Sequence, residues 1–313
     1  MSPLRSHQRP APAPGVARQH RLEPFPYLLL TPALIILGVL VGYPVVRMVI
    51  TSFQKYTRAQ AFGAAPEWTG FANYIKVLTG ADFWVVVARS FAFMVVAVSL
   101  TIVIGTLVAL FMMQLRKGFR LLVSVGLLLA WAMPALTSII VWGWIFDSQY
   151  GIVNYLLTKL TGENWQGHSW LMNPLSFFAV LILIIVWQGI PFVAFTLYAG
   201  LTQVDGAIME AAQIDGASSV KRFFQVQMPM TRSIFTVLIV LSIIWDLRVF
   251  AQVFALQGIG GMTDKTSTLG VWIYRQGTAS GDFGVASAAA VIMVVIMLVI
   301  SFYYVRQTLR QED

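Results

Sequence analysis

Residues 210–229 read EAAQIDGASSVKRFFQVQMP, a polar and charged stretch between two strongly apolar segments. Asp205, just before it, can cap a helix, because its carboxylate can accept from the first free backbone N–H groups. Gly216 suits the left-handed residue that ends a helix, and Ser218 or Ser219 can cap a second short helix. The sequence therefore predicts two short helices joined by a sharp turn. Neither is long enough to be stable alone in water, so a docking partner is expected.

The composition of the whole chain points to a membrane. Of its 313 residues, 58% are hydrophobic and 11% are charged, against roughly 25% charged in an ordinary soluble domain. The absence of cysteine from the sequence excludes disulfides and cysteine-bound metal centres. The formal net charge is +8. Because no basic cluster is interleaved with aromatic residues, we attribute this charge to membrane topology and expect no nucleic-acid partner.

Apolar stretches of about 20 residues can cross a bilayer as helices. Six stretches qualify, and they predict an all-α membrane protein with six transmembrane helices inside a domain spanning 25–310. The predicted spans are 26–50, 91–113, 121–146, 177–201, 234–254 and 286–305. Residues 1–24 are rich in Pro, Ala and Arg and have no apolar period, so they are predicted to be a disordered cytoplasmic tail.

The distribution of Lys and Arg sets the predicted orientation. These residues are more frequent in the segments that face inward when the N-terminus is cytoplasmic. The positive-inside rule therefore places both termini in the cytoplasm, together with the loop 202–233 that contains the opening stretch. Such a loop could be a connector lying along the membrane surface, or it could be the docking site for a soluble protein.

Charged residues within the fifth predicted span are candidates for a substrate pathway. Asp246 and Arg248 lie about 20 Å from the inner end of that span, where a charge should face a partner or a water-filled path. Trp245 could offer a ring face to a solute in that path while Asp246 accepts hydrogen bonds from it. Alternatively, Asp246 pairs with an arginine or with backbone on a neighbouring helix or on a second subunit.

The fourth predicted span carries a second set of candidates. Trp187 and Gln188 lie near its middle, close to Pro191, which is predicted to kink or break the helix. A broken helix is a suitable place for a binding site in a transporter. Packing against a neighbouring helix is the other interpretation of Trp187.

The sequence contains no recognisable catalytic or metal-binding pattern. His7 and His20 fall in the predicted tail, and His168 has only Glu163 near it in sequence. No GxxxxGK[ST] phosphate-binding loop is present, so the chain is not expected to bind ATP itself. We therefore expect no catalytic residues, no metal and no cofactor, and a transport subunit rather than an enzyme.

The opening stretch resembles the EAA loop of ABC-importer permeases, whose pattern is Glu-Ala-Ala, a glycine, and then Ile-x-Leu-Pro. The corresponding residues are Glu210, Ala211, Ala212, Gly216, Val226, Met228 and Pro229. With Asp215 and Ala217 included, the stretch is similar to the carbohydrate branch, the MalF/UgpA-like permeases. The chain matches further motifs of that family at Pro32, Tyr43-Pro44, Ser52-Phe53, Gly70-x-x-Asn73-Tyr74, Pro134, Trp144-x-Phe146, Gly151-x-x-Asn154, Gly260-Gly261, Thr268-Leu269, Tyr274 and Phe283-Gly284-x-Ala286-Ser287-Ala288. It departs at Arg89-Ser90, where Asn-Thr is usual, and at Met262, where Pro is common.

The resemblance implies a type I ABC-importer permease fold in the cell membrane. In that family the EAA loop holds a coupling helix that sits in a cleft of a cytoplasmic ATPase. The implied coupling residues are Glu210, Ala211, Ala212, Asp215, Gly216, Ala217 and Pro229. The implied partners are a second, MalG-like permease, two ATP-binding cassette ATPase subunits, an extracytoplasmic solute-binding protein and a sugar.

Import of a di- or oligosaccharide is the leading functional expectation. A phosphorylated polyol such as glycerol phosphate is the alternative substrate, and it would make Arg248 an anion contact. A self-contained ion-coupled transporter would need more ionisable residues inside the spans and no stereotyped cytoplasmic loop. A membrane-embedded enzyme would need a nucleophile or paired carboxylates at a common depth, and the sequence offers neither.

Overall fold

The computed structural model describes residues 24–312, and most of them are helical. The first helical stretch consists of α1 (Pro24–Leu37), a π-helical turn (Gly38–Gly42) and α2 (Tyr43–Ser52). Its segment Leu29–Ser52 is long and apolar enough to cross a membrane. The predicted tail 1–24 lies outside the described residues, except that Pro24 begins α1.

Fifteen further helices follow in chain order within the described residues. They are α3 (Arg58–Ala61), α4 (Ala72–Thr79), α5 (Ala81–Gln114), α6 (Lys117–Ala132), α7 (Ala135–Ile145), α8 (Ile152–Thr161), α9 (Pro174–Leu201), α10 (Gly206–Ile214), α11 (Ser219–Arg222), α12 (Met228–Met230), α13 (Arg232–Leu247), α14 (Ala251–Ile259), α15 (Thr263–Thr266), α16 (Leu269–Thr278) and α17 (Phe283–Glu312). A π-helical turn (Phe223–Gln227) joins α11 to α12. The described strands β1 (Gln54–Lys55) and β2 (Glu67–Trp68) pair antiparallel.

Within the described residues, 4 helices are long and apolar enough to span a membrane, and up to 6 if each of two bent pairs is one span. The first bent pair is α6 with α7, at 103°, and the second is the segment Ser219–Met230 with α13, at 78°. The chain is thus an all-α, multi-pass membrane protein, and the count of six spans stays a prediction. Following the predicted orientation, we call the Gln114 end of α5 inner and its Ala81 end outer.

Three predicted spans differ from the observed helices. The segment 121–146 is interrupted between α6 and α7, because proline lacks a backbone N–H and disfavours helical geometry at the residue before it; Met133 accordingly has ψ 124° ahead of Pro134. The segment 234–254 is interrupted between α13 and α14, where Arg248 leaves helical geometry at ψ 1°. A break at Pro191 is wrong, since α9 is continuous through that residue, and a kink there stays a prediction.

The centre of the fold is the pairing of α5 with α9, and small residues make their close approach possible. A Cβ added at Gly105 would lie 2.5 Å from Val193 Cγ1, and one added at Gly189 would lie 2.9 Å from Thr101 Cγ2. Close approach of backbones is a typical way for membrane helices to gain packing energy, because lipid supplies little hydrophobic drive between them.

Arg120 connects the inner ends of α5, α6 and α9 through hydrogen bonds. The Arg120 guanidinium, on α6, donates to the carbonyl oxygens of Met112 at 3.0 Å and Leu115 at 2.7 Å, at the end of α5. It also donates to the Tyr198 hydroxyl on α9 at 2.7 Å and lies over that ring. Orphan carbonyls at a helix end are satisfied in this way.

The two departures from the family pattern are Arg89-Ser90 and Met262, and the segments that contain them are joined at the outer end of α5. The Leu269 N–H donates to Ser90 Oγ at 2.8 Å, and Arg89 Nη1 donates to the Ser267 carbonyl at 3.1 Å. The Thr266 hydroxyl donates to the Met262 carbonyl at 2.8 Å, which closes the same segment on itself. Arg89 and Ser90 therefore attach α5 to the chain between α15 and α16.

Candidate functional site

A cleft lies where the two interrupted segments break. Its volume is about 470 Å³, and its lining residues are Trp131, Ile185, Gln188, Gly189, Phe192, Trp245, Asp246, Arg248, Val249 and Gln252. Trp131 lies just before the break between α6 and α7, and the residues from 245 to 249 surround the break between α13 and α14. Irregular backbone at membrane depth is tolerated where it is covered by protein or lines a polar cavity. The cleft therefore accounts for the two helix breaks, because the interrupted backbone lines it.

The cleft joins residues that are distant in sequence but equal in depth. Gln188 is about 20 Å from the inner end of α9, and Asp246 is about 20 Å from the inner end of α13, at about 1.5 Å of rise per residue. Four predicted pathway residues therefore meet, namely Gln188, Trp245, Asp246 and Arg248. Trp187 is elsewhere: its ring packs edge-on against Trp142 with centroids 5.7 Å apart.

An amide pair spans the cleft. Gln252 Nε2, on α14, donates to Gln188 Oε1 at 3.4 Å, and Gln188 Nε2 donates to the Met133 carbonyl at 3.3 Å. These two long hydrogen bonds connect α9 both to α14 and to the break after α6. Gln188 is thus held in place by backbone that the Pro134 break frees from helical hydrogen bonding.

The charged groups of the cleft have no partner in the part of the chain that the structure describes. The half-buried Asp246 carboxylate makes no hydrogen bond or ion pair there, and the exposed Arg248 guanidinium makes none either. The interpretation in which Asp246 pairs with an arginine of this chain is therefore not found within residues 24–312. A buried polar group without a partner is costly, so these two groups are available to a ligand or to another subunit.

Aromatic rings complete the cleft. Trp245 is 44% exposed and contacts Phe192 with ring centroids 4.9 Å apart. Trp131, which also lines the cleft, is exposed as well. Sequence analysis missed Trp131, Phe192 and Gln252. Gln252 could have been noticed as an amide within an apolar run, whereas the two aromatic residues carried no signal that separates them from packing residues.

The opening stretch forms the predicted pair of short helices. Asp205 caps α10 by accepting from the Ala207 N–H at 2.9 Å, and Ser218 caps α11 by accepting from the Lys221 N–H at 3.3 Å. Gly216, between them, has φ +78°, which glycine adopts at little cost. Arg222 Nη1, in α11, donates to Gln213 Oε1 in α10 at 3.1 Å and braces the turn.

The surface of this helix pair is unusually apolar for a loop. Ile214 is 86% exposed, Val220 68% and Phe224 59%. Ala211, Asp215 and Pro229 are exposed, Ala212 and Ala217 are half-buried, and Glu210 is exposed without a side-chain partner in the described chain. Pro229 lies within α12, and the bend toward α13 follows at Thr231. A free apolar surface of this kind fits both interpretations of the loop, because it marks a contact with a protein or with the membrane surface.

Comparison with known proteins gives a consistent result. The sequence profile of the family "Binding-protein-dependent transport system inner membrane component" matches residues 101–311. The chain is 39% identical to the diacetylchitobiose uptake system permease protein DasB of Streptomyces coelicolor, over 92% of this chain and 88% of DasB. It is 30% identical to the trehalose/maltose transport system permease protein MalF of Thermococcus litoralis, over 90% of this chain and 92% of that protein.

Among solved structures, a chain of a bacterial ABC transporter that imports the acidic polysaccharide alginate has a similar fold. The TM-score is 0.76 at 20% sequence identity, and the match covers 91% of this chain and 95% of that one. In the described residues, no group of three or more His, Cys, Asp or Glu is placed to hold a metal ion.

Proposed function

Because the chain belongs to the family of binding-protein-dependent transport system inner membrane components, we propose that it is a permease subunit of an ATP-driven importer for a di- or oligosaccharide. The cleft carries this proposal. It combines exposed tryptophan rings, a carboxylate and two carboxamides in one lining. Ring faces pack on the apolar side of a sugar, and the polar groups exchange hydrogen bonds with its hydroxyls. Its similarity to permease proteins for diacetylchitobiose and for trehalose and maltose supports the substrate class.

The second part of the proposal concerns energy coupling. The helix pair α10–α11 would dock into a cytoplasmic ATPase, with Ile214, Val220 and Phe224 covered by that partner. Glu210 would meet a basic group, because a carboxylate that loses water needs a counter-charge. The family works with a binding protein and an ATPase. We propose the assembly of this chain with one second permease, two ATPase subunits and one extracytoplasmic solute-binding protein.

The site proposal is tested by replacing Asp246. Asp246→Asn replaces the carboxylate by an uncharged amide of the same size, so hydrogen bonds from sugar hydroxyls to this side chain weaken. Uptake into proteoliposomes that hold the complete complex should show a KM raised about tenfold, as expected for the loss of a hydrogen bond to a charged group. Candidate solutes are diacetylchitobiose, trehalose and maltose. Asp264→Asn, an exposed carboxylate outside the cleft, is the control, and equal uptake by both variants would refute the site.

Arg248 distinguishes the two substrate classes. It lines the same cleft and has no partner in the described residues, which favours an anionic polyol such as glycerol phosphate as the second candidate. For a neutral sugar, Arg248→Gln should leave uptake within about twofold, because no charge of the solute is lost as a contact. Abolished transport of glycerol phosphate in this variant would establish the second candidate instead.

The coupling proposal is tested at Glu210. Glu210→Ala removes the proposed counter-ion of the ATPase, so ATP hydrolysis and sugar uptake should fall together by tenfold or more, while the chain still inserts in the membrane. Glu163→Ala removes an equally exposed carboxylate from the segment between α8 and α9 and should have no effect. If Glu210→Ala imports sugar at the normal rate, the loop is not the lever proposed here.

A further inference from the structure

A second cavity, outside the cleft, lies between the outer halves of α5 and α9. Its volume is about 620 Å³. The walls are apolar, with Ala92 and Val96 on α5 and Phe178, Ala179 and Ile182 on α9. From the level of Arg89 to that of Val96, α5 rises about 10 Å. We call this cavity the outer groove.

Two cations stand at one end of the outer groove. Arg89 is held there because Nη1 donates to the carbonyl oxygens of Asp264 at 3.4 Å and Ser267 at 3.1 Å. Its other nitrogens make no hydrogen bond in the described residues. Lys265 is exposed, and no carboxylate of the described chain lies within 4.0 Å of it. The groove is therefore positive at one end and apolar along the rest of its length.

This division matches an amphiphile with a negative head and an apolar tail. Arginine and lysine at the edge of a membrane span normally reach for the headgroup layer, and anionic lipids are attracted to such pairs. A plain apolar helix would fill the walls but leave both cations without a counter-charge. We propose that the outer groove binds one anionic phospholipid, with its phosphate between Arg89 and Lys265 and an acyl chain along α5 and α9.

The test uses phosphatidylglycerol that carries a photoreactive diazirine in its acyl chain. The complete transport complex is placed in nanodiscs of phosphatidylcholine with a small fraction of this probe, irradiated, and digested. Cross-links should map to residues 92–96 and 178–182. Lys265→Gln should reduce them about fivefold, since one cation contributes about that factor to the binding of an anionic lipid. Unlike Arg89, Lys265 makes no contact on which the fold depends.

Two more variants and one comparison keep the proposal falsifiable. Ala92→Phe fills the groove without changing charge and should also reduce the cross-links. The double variant Lys55→Gln with Lys159→Gln removes two cations outside the groove and should leave them unchanged. Equal labelling by a phosphatidylcholine probe, insensitivity to both groove variants, or cross-links from these positions to another protein helix would each overturn the proposal.

Discussion

At the scale of single residues, Gly216 holds a backbone conformation that residues with a side chain rarely adopt. Its φ is +78°, and no heavy atom lies within 4 Å of an added Cβ. A substitution there therefore acts through backbone strain alone and not through a clash.

Gly216→Val should displace α11 from α10, because a β-branched residue with positive φ costs about 1–3 kcal/mol. We expect less ATPase subunit to co-purify with the chain and sugar uptake to fall in proportion. Gly216→Asn should be much milder, since asparagine tolerates the left-handed region. Gly206→Val adds the same side chain to open space in the same loop without a positive φ, and it should behave as wild type. Normal ATPase capture by Gly216→Val would contradict the prediction.

The two sites differed in how far single residues could be read from the sequence. In the loop, Asp205, Gly216 and Ser218 were identifiable because caps and turns depend on neighbours in sequence, and the structure confirms all three. In the cleft, Gln188 and Asp246 stood out as polar residues in apolar segments. Trp131 did not, because its role depends on which distant helix it faces.

At the scale of helices, the α5–α9 contact yields a prediction about stability. Gly105→Ala would press a methyl group against Val193, a buried β-branched residue with little freedom to move. Overpacking of this kind costs about 1–3 kcal/mol, so the melting temperature of the purified chain in detergent should fall by several degrees. Gly126→Ala, on α6, adds the same methyl group to open space and should leave the melting temperature unchanged or raise it. Equal melting temperatures would show that the two helices are not closely packed.

Helix existence was predictable from hydropathy, but helix continuity was not. Pro191 lies in a continuous α9, whereas Pro134 separates α6 from α7. Both prolines lack an N–H, and the outcome depends on whether neighbouring groups satisfy the freed carbonyls. At Pro134 the freed Ala130 carbonyl accepts from the Met133 N–H, and the Met133 carbonyl, at the break, accepts from Gln188 of another helix. Such a partner is tertiary information that no local pattern contains.

At the scale of the whole molecule, the chain has the features of one subunit of an assembly rather than of a complete transporter. Within the described residues, its candidate site contains charges without partners, and the helix pair α10–α11 exposes large apolar side chains. Reconstituted without any ATPase, the chain should give no concentrative sugar uptake. Addition of the cognate ATPase, the second permease and the solute-binding protein should restore uptake when ATP is enclosed. Uptake by the chain alone would instead support a self-contained, ion-coupled transporter.

The amide pair across the cleft has a consequence for which solutes can pass. The walls belong to separate helices, and the described hydrogen bonds of Gln188 between them are long contacts with the Met133 carbonyl and the Gln252 side chain. The width of the cleft then depends on the spacing of these helices and not on a rigid network of side chains. The length of sugar that the cleft accepts can then change when substitutions at remote packing positions move the helices apart or together, although the substituted residues do not contact the sugar.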